Sequence, residues 1–385
     1  MKATVRSKKF ARGIMKNRKI IIGLSVIVFA LLFVCGCGKT PIDPNNCLHT
    51  THNAETGRCV ECNKKVGHYY KNYKCTGCDK TTEFIWDGLK YNEAIWNPIK
   101  KGGSDKKGTI DELKYNTTAY NIKALTGEEK TIEQTAYVYL PYGYDSSEKY
   151  DVIILVHGAG DNEGYWLAQG DYKPTDTTFV GTGNYTKEML DYVFANNICK
   201  PAIVVTPTFY NLAHDKGNEL AGKEGSVASK QFGHELVDFL LPKVIETYST
   251  YAEGTADEQM KAARDHFAYA GLSYGGYTSI NSIMSYCLPY FSWLATYSFS
   301  FEANEIFEKA KTEMVSYPLH YWYYSCGTED TFYNDSTKMY KSALATVSAF
   351  KDEENCRFVE GYGANHTYEF WLTSLYNTLH KFFKD

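Results

Sequence analysis

Ser273 is the residue whose neighbours point most directly to chemistry. It lies at the centre of a G-x-S-x-G pattern, Gly271–Gly275, between the apolar run FAYA and a helical pattern that begins near Tyr277. A strand-to-helix turn this sharp needs small residues around the serine and leaves its hydroxyl exposed above the sheet. The string alone is common, but in this setting it predicts a nucleophilic serine.

A serine hydroxyl is an effective nucleophile only when a histidine removes its proton and a carboxylate orients that histidine. Asp330 follows the apolar run YWYYS in the turn GTED, and His366 stands between the last predicted strand and the last predicted helix. The chain order Ser273, Asp330, His366 is the order found in α/β-hydrolases. These three side chains are therefore predicted to form a catalytic triad, with Glu329 as the competing acid.

Stabilising the oxyanion of an acyl-transfer reaction requires backbone N–H groups near the serine. One is expected from Tyr274, the residue after the nucleophile, and another from the loop after the strand DVIILV. That loop reads HGAG, and the N–H of Ala159 is the predicted donor. His157 has no nucleophile assigned to it and is interpreted as structural.

The elements that must position these residues alternate along the chain. Apolar, β-rich runs bounded by turn residues predict seven strands: Ala136–Leu140, Asp151–Val156, Ala202–Thr206, Phe267–Ala270, Leu294–Ser298, Tyr321–Ser325 and Arg357–Val359. Helical spacing of apolar residues predicts helices between them, the last from Tyr368 to Phe383. Near-continuous apolar strands are typical of sheets covered on both faces. The sequence therefore predicts an α/β architecture with a mostly parallel sheet.

Five segments of region 108–385 resemble the esterase family that includes feruloyl and acetylxylan esterases (carbohydrate esterase family one, esterase D-like). They are AYVYLPYGYD, YDVIILVHGAGDNEGYW, AYAGLSYGGYTS, GTED and GYGANHTYEFW. The resemblance implies an α/β-hydrolase fold with Ser273, Asp330 and His366 as the triad. It also implies a serine carboxylesterase that hydrolyses feruloyl or acetyl esters of plant cell-wall polysaccharide, with no cofactor for catalysis.

Two other functions stay open beside this esterase. Tyr274 stands where many members of the family have methionine, and the string GxSYGGY also occurs in serine peptidases of the prolyl-oligopeptidase type. A serine peptidase is therefore one alternative. A non-catalytic surface adhesin that retains the hydrolase fold is the other. A nucleic-acid partner is not expected, because 41 basic and 45 acidic residues give a net charge of −4 and no general basic field.

The N-terminal residues 1–36 are predicted to be a lipoprotein-type signal peptide. They hold eight Lys or Arg and no Asp or Glu, and the apolar run Ile20–Val34 is short for a membrane span but suits a signal peptide. The run ends in a sequence that resembles a bacterial lipobox, so Cys37 is the predicted lipidation site. The alternatives are an uncleaved anchor helix and a true start at Met15. The chain is thus expected to work outside the cytoplasm, lipid-anchored to a membrane or secreted.

A cysteine- and histidine-rich segment, 37–80, follows the signal. Two CxxC motifs twelve residues apart predict one structural zinc ion in a zinc-ribbon-like arrangement, bound by Cys59, Cys62, Cys75 and Cys78. Disulfide pairing is the alternative, because an exported protein meets an oxidising environment. Further histidines and cysteines leave room for a second site: Cys47, His49, His52 and His68.

The remaining boundaries follow from composition. Residues 81–107 contain the stretch NPIKKGGSDKKG, which is rich in glycine and lysine, and are predicted to be a linker. Residues 108–385 are the predicted esterase domain. Within it, residues 171–231 include a long polar stretch that is interpreted as a divergent lid.

Overall fold

The computed structural model of the chain describes residues 51–53, 58–64, 70–71, 74–75, 77–78, 93–170, 184–212 and 219–384. The predicted signal peptide and Cys37 lie outside the described residues, as do 171–183 and 213–218 of the predicted lid. Within the described residues, no helix combines the length and the apolar character that crossing a membrane requires.

A two-stranded hairpin lies in the cysteine-rich segment, and an eight-stranded sheet forms the centre of the region from residue 109 onward. The strands are β1 (Tyr70–Lys71), β2 (Lys74–Cys75), β3 (Thr109–Thr118), β4 (Thr131–Leu140), β5 (Asp151–Val156), β6 (Ala202–Thr206), β7 (Phe267–Leu272), β8 (Trp293–Tyr297), β9 (Tyr321–Gly327) and β10 (Cys356–Gly361). The large sheet has the order β10-β9-β8-β7-β5-β6-β4-β3. Within this large sheet, only β3–β4 and β4–β6 pair antiparallel, which confirms the predicted α/β architecture with a mostly parallel sheet.

The helices follow the strands along the chain. They are α1 (Glu93–Lys100), α2 (Tyr120–Thr126), α3 (Thr186–Ala195), α4 (Glu219–Glu235), α5 (Leu241–Thr247), α6 (Asp257–Ala262), α7 (Tyr274–Thr278), α8 (Asn304–Glu313), α9 (Tyr333–Thr346) and α10 (Tyr368–Leu379). Two π-helical stretches, Leu236–Leu240 and Ser279–Cys287, continue α4 and α7, and Arg264–His266 is a 3₁₀ turn.

Two hydrophobic cores lie on opposite faces of the large sheet. In β5, Val152 and Ile154 belong to one core and Ile153 and Leu155 to the other, because successive side chains of a strand point to opposite faces. The first core contains buried residues of α4, α5, α8 and α9, and the second contains those of α1, α3 and α10. This double burial explains why the central strands are continuously apolar.

β3 has no counterpart among the predicted strands. Its burial alternates along the strand, with Leu113, Tyr115 and Thr117 buried and polar residues between them exposed. An edge strand with one solvent-exposed face needs no continuous run of apolar residues. The last helix is also shorter than predicted and ends at Leu379.

The predicted linker 81–107 contains a helix that the sequence does not predict. Residues Glu93–Lys100 form α1, whose Ile95, Trp96 and Ile99 are buried in the second core. The ring of Trp96 packs edge-on against Tyr185, with centroids 6.2 Å apart. Three apolar residues on one face suffice to dock this short helix, although the glycine- and lysine-rich sequence beside them is typical of a linker.

The predicted lid is in part a packed helix. α4 carries two buried glutamates, Glu224 and Glu235, each 1% exposed. The carboxylate of Glu235 accepts hydrogen bonds from the Tyr115 hydroxyl and the Asn211 amide, both at 2.8 Å. Burial raises the pKa of Glu235 to about 7, because an apolar interior disfavours the charged carboxylate. These bonds join α4 to β3 and to the loop after β6.

Candidate active site

Ser273 occupies the sharp turn between β7 and α7. Its backbone has φ 48° and ψ −115°, a conformation that residues other than glycine rarely adopt. Its N–H donates to the carbonyl of Tyr297 at 2.8 Å, and its own carbonyl accepts from the N–H of Tyr277 at 2.9 Å. The helix begins at Tyr274, directly after the serine and three residues earlier than the apolar pattern predicts.

The glycines of the pattern allow this turn to close. A Cβ atom on Gly271 would lie 2.3 Å from the carbonyl oxygen of Gly275. A Cβ atom on Gly275 would lie 2.5 Å from the carbonyl oxygen of His157 and 2.7 Å from that of Val156. Both obstacles are backbone atoms, so a larger residue at either position would push β5, β7 and α7 apart.

Ser273, His366 and Asp330 form one hydrogen-bonded row. The Nε2 atom of His366 lies 3.0 Å from Oγ of Ser273, and Nδ1 lies 2.8 Å from Oδ2 of Asp330. Since an ionised carboxylate only accepts, Nδ1 carries the proton and Nε2 is free to accept from the serine hydroxyl. The Asp330 side chain is fully buried, while that of His366 is 31% exposed. This arrangement can move a proton from the serine to the histidine.

The competing acid, Glu329, lies apart from this row. Its side chain is exposed, and its backbone N–H donates to the carbonyl of Ala364 at 2.9 Å. Asp330, in contrast, is held by a second bond, in which Oδ1 accepts from the N–H of Phe332 at 3.0 Å. Of these two neighbouring acids, the geometry therefore favours Asp330 as the partner of His366.

The loop after β5 runs beside the serine. A Cβ atom on Gly158 would lie 3.4 Å from Cβ of Ser273 and 2.8 Å from Cδ1 of Leu272. Ala159, the next residue of this loop, is exposed. Tyr274 is the first residue of α7, where backbone N–H groups have no acceptor within the helix. The two predicted oxyanion donors thus belong to segments that border the serine.

His157 holds this loop in place. Its ring is buried, with Nδ1 2.7 Å from the carbonyl oxygen of Gly158 and Nε2 2.9 Å from Oγ1 of Thr208. The ring packs on Phe209 at a centroid distance of 4.4 Å. Nδ1 therefore contacts its own loop while Nε2 joins that loop to the one after β6, as expected for a structural histidine.

An aromatic wall, formed by Tyr277, Phe299 and Phe332, stands next to the histidine. The Phe332 ring is 5.5 Å from that of His366, and Phe299 packs against Phe332 at 4.7 Å and Tyr277 at 4.8 Å. On another side, Trp371 meets the His366 ring edge-on at 4.7 Å. None of these residues is among the predicted site residues. Their only sequence signal is that Phe299 and Phe332 follow the ends of β8 and β9.

Two of the predicted zinc ligands, Cys59 and Cys62, lie in one tight loop. The N–H of Cys59 donates to the carbonyl of Lys64 at 2.9 Å, and Cys62 packs against the buried Cys59. His52 forms a backbone bridge with Cys59 and donates its N–H to the carbonyl of Gly77 at 3.0 Å. The first CxxC loop is thereby joined to the turn that precedes Cys78.

The side chain of Cys75 lies outside the described residues, as do Cys47, His49 and His68. Among the side chains that are described, no three of His, Cys, Asp or Glu lie close enough together to hold a metal ion. Cys59, Cys62 and Cys78 form no disulfide with one another or with other described cysteines.

The chain is similar to a known protein family and to several solved structures. Residues 129–382, well over half of the chain, match the Esterase family model. The feruloyl esterase module from Clostridium thermocellum, solved as a complex with sinapinate, is 26% identical with a TM-score of 0.55, over 73% of this chain and 89% of that one. A ferulic acid esterase from Anaeromyces mucronatus, 17% identical over 74% of this chain and 95% of that one, shares the fold at a TM-score of 0.52.

Two curated relatives are longer proteins. Endo-1,4-beta-xylanase Y of Acetivibrio thermocellus is 28% identical over 261 residues, which are 64% of this chain and 22% of that protein. Endo-1,4-beta-xylanase/feruloyl esterase of Xylanibacter ruminicola is 34% identical over 148 residues, or 37% of this chain and 16% of that protein. The chain therefore spans less than a quarter of either relative. The predicted resemblance and the α/β-hydrolase fold are confirmed.

Proposed function

From the premise that this chain belongs to the Esterase family, we propose that it is a serine carboxylesterase that removes feruloyl or acetyl groups from plant cell-wall polysaccharide. The observation that carries the proposal is the hydrogen-bonded row of Ser273, His366 and Asp330 at a strained strand-to-helix turn. A strained backbone persists only where the surrounding structure enforces it, and such sites are concentrated where chemistry occurs.

In the proposed acylation step, Oγ of Ser273 attacks the ester carbonyl while Nε2 of His366 takes the hydroxyl proton. Asp330 keeps the imidazole in the correct tautomer and stabilises the imidazolium that forms. The N–H groups of Ala159 and Tyr274 would stabilise the negative charge that develops on the carbonyl oxygen. As the tetrahedral intermediate collapses, the bond to the sugar oxygen breaks, His366 gives the proton to that oxygen to form the sugar hydroxyl, and the acyl group remains on the serine.

Deacylation repeats these roles with water. His366 removes a proton from the water that attacks the acyl-enzyme, and the proton then returns to Oγ of Ser273 as the carboxylic acid leaves. The chain's own side chains supply every proton transfer in this sequence. The proposal therefore assigns no metal ion or organic cofactor to the reaction.

Two features support the substrate class. Both curated relatives are named as xylanases, and one of them is also named as a feruloyl esterase. The aromatic wall provides apolar surface next to the triad, with the Phe332 ring centroid 5.5 Å from that of His366, and aromatic rings pack favourably on one another. An acylated polysaccharide or oligosaccharide is therefore the proposed substrate.

A panel of three substrates tests the proposal: methyl ferulate, p-nitrophenyl acetate and a dipeptide anilide. We expect hydrolysis of the esters and not of the anilide, and loss of activity in Ser273→Ala on the order of 10⁶-fold in kcat. Ser316→Ala, an exposed serine outside the site, is the matched control. Cleavage of the anilide would favour the peptidase, and no turnover of any substrate would favour the adhesin.

We also propose that the chain works outside the cytoplasm, tethered to the membrane through a diacylated Cys37. Stable anchoring needs more than one acyl chain, which this modification would supply. Metabolic labelling with a palmitate analogue, comparing the full-length chain with Cys37→Ser, tests the tether. Equal labelling of both proteins would contradict it.

We further propose one structural zinc ion bound by Cys59, Cys62, Cys75 and Cys78. Four thiolates are a closed coordination set with no open position for water, so the ion would stabilise the segment and leave the esterase chemistry alone. The backbone link through His52 between the two CxxC regions supports the proposal. Elemental analysis should find one zinc per chain. Zinc well below one, with these cysteines recovered as disulfides, would favour crosslinks instead.

A further inference from the structure

A groove that the proposed mechanism does not use lies between the start of α8 and the first turns of α9. Its volume is about 450 Å³, and its walls include residues 300–303 from the loop before α8, Asn304 at the start of α8, and Asp335, Lys338 and Ser342 from α9. Glu302, Asn304 and the α9 charges on its rim are exposed to solvent. The groove is therefore open enough to admit a ligand.

The position of the groove in the sheet places it near the triad. The loop and helix that form it follow β8 and β9, and Ser273 and His366 follow β7 and β10. All four strands are parallel neighbours, so their carboxyl ends meet at one edge. In open α/β sheets, ligands bind at that edge.

The aromatic wall separates the groove from the triad. Phe301, on the groove side, packs edge-on against Tyr277 with centroids 4.5 Å apart. On the other side, Phe332 is in ring contact with His366 at 5.5 Å. Ser300 ties the groove to this wall by donating from Oγ to the carbonyl of Phe332 at 3.3 Å. A ligand in the groove would therefore lie one layer of side chains away from the reacting ester.

The chemistry of the lining suits a neutral, hydroxyl-rich ligand. Lys338 is paired with Asp335 at 2.8 Å, so the lining offers no free cation to an anionic ligand. The Glu302 carboxylate then gives the lining a net negative charge. Asn304 accepts from Ser342 at 2.7 Å, and within the described residues its amide N–H groups have no protein acceptor. Sugar hydroxyls can both donate to Glu302 and accept from Asn304.

We propose that this groove binds the glycosyl residues of the polysaccharide that carries the ester, while the acyl group lies on the triad side of the aromatic wall. This inference rests on the proposed esterase function and adds to it a second binding region. It predicts that the enzyme distinguishes an ester on an oligosaccharide from the same ester on methanol. Binding energy far from the reacting atoms would then be used to position the ester.

The test is the double variant Glu302→Ala/Asn304→Ala, assayed on a feruloylated xylo-oligosaccharide and on methyl ferulate. Two lost hydrogen bonds of ordinary strength should lower the ratio of the two kcat/KM values, oligosaccharide ester over methyl ester, about tenfold. Glu308→Ala and Lys341→Ala are matched controls, because these exposed residues lie on the same two helices outside the groove lining. An unchanged ratio in the double variant would overturn the inference.

A binding measurement separates this inference from the esterase proposal. Unesterified xylohexaose, titrated calorimetrically into the wild-type protein, should bind, and the double variant should bind about tenfold more weakly. If neither ester is hydrolysed but this difference is found, the esterase function fails and the groove assignment stands. Absent or equal binding in the two proteins would overturn the groove assignment, whatever the esterase assay shows.

Discussion

Asp330→Asn isolates the orienting role of the buried carboxylate. Asp330 holds two N–H groups at once, because Oδ2 accepts from Nδ1 of His366 at 2.8 Å and Oδ1 accepts from the N–H of Phe332 at 3.0 Å. Asparagine has the same shape but only one acceptor oxygen. Since the Phe332 N–H can only donate, the amide oxygen must stay with it, and the new NH₂ group must face the histidine.

This exchange reverses the tautomer of His366. Nδ1 would have to accept, so the proton would move to Nε2, which lies 3.0 Å from Oγ of Ser273 and could no longer remove its proton. We expect kcat to fall about 10⁴-fold, as the same change does in serine proteases, or roughly 5 kcal/mol of transition-state stabilisation. The fold should persist, because the side chain keeps its volume and its bond to Phe332.

The assay is kcat and KM on methyl ferulate, with the thermal midpoint as a check on folding. Glu329→Gln is the matched control, because this neighbouring carboxylate is exposed and lies apart from the histidine. It should retain nearly wild-type kcat. The reasoning would be refuted by an Asp330→Asn enzyme that keeps more than about a tenth of wild-type kcat while Glu329→Gln is severely impaired.

Two further predictions concern stability. Gly275→Ala should unfold or inactivate the enzyme, because the new Cβ atom would collide with backbone carbonyls. Gly222→Ala, in open space within α4, should instead add about 0.5–1 kcal/mol to the free energy of unfolding. Denaturant titration of both variants checks this, and a stable, active Gly275→Ala would contradict it. The pKa of Glu235 is raised to about 7 in the folded state, against about 4.3 in an unfolded chain. The folded state therefore binds the Glu235 proton more tightly, and the stability that this proton contributes is lost as the pH rises from about 4.3 through about 7. Glu235→Gln should flatten this pH dependence, and an equally steep loss in the variant would refute the assignment.

The sequence predicts the central strands well because their environment is simple. The predicted bounds of Asp151–Val156 and Ala202–Thr206 match β5 and β6. Both strands are buried on two faces, so their apolar runs start and stop with the sheet. The loops that carry Ser273, Asp330 and His366 follow directly, because each residue stands within a few positions of a strand end.

Other features depend on partners distant in sequence. α1 is held by the burial of Ile95, Trp96 and Ile99 against residues far along the chain, which local composition does not reveal. The aromatic wall is a second case. Phe299 and Phe332 come from loops after different strands, and only the parallel packing of β8 and β9 brings their rings to 4.7 Å.

The central claim is that Ser273 forms a covalent acyl-enzyme with His366 as its base. Active-site titration with p-nitrophenyl acetate, followed by acid quench and peptide mapping, tests it most directly. We expect a burst of one p-nitrophenolate per chain in the wild type, an acetyl group on the peptide that contains Ser273, and no burst in Ser273→Ala. An acetyl group on a different residue, or a full burst that survives in Ser273→Ala, would contradict it.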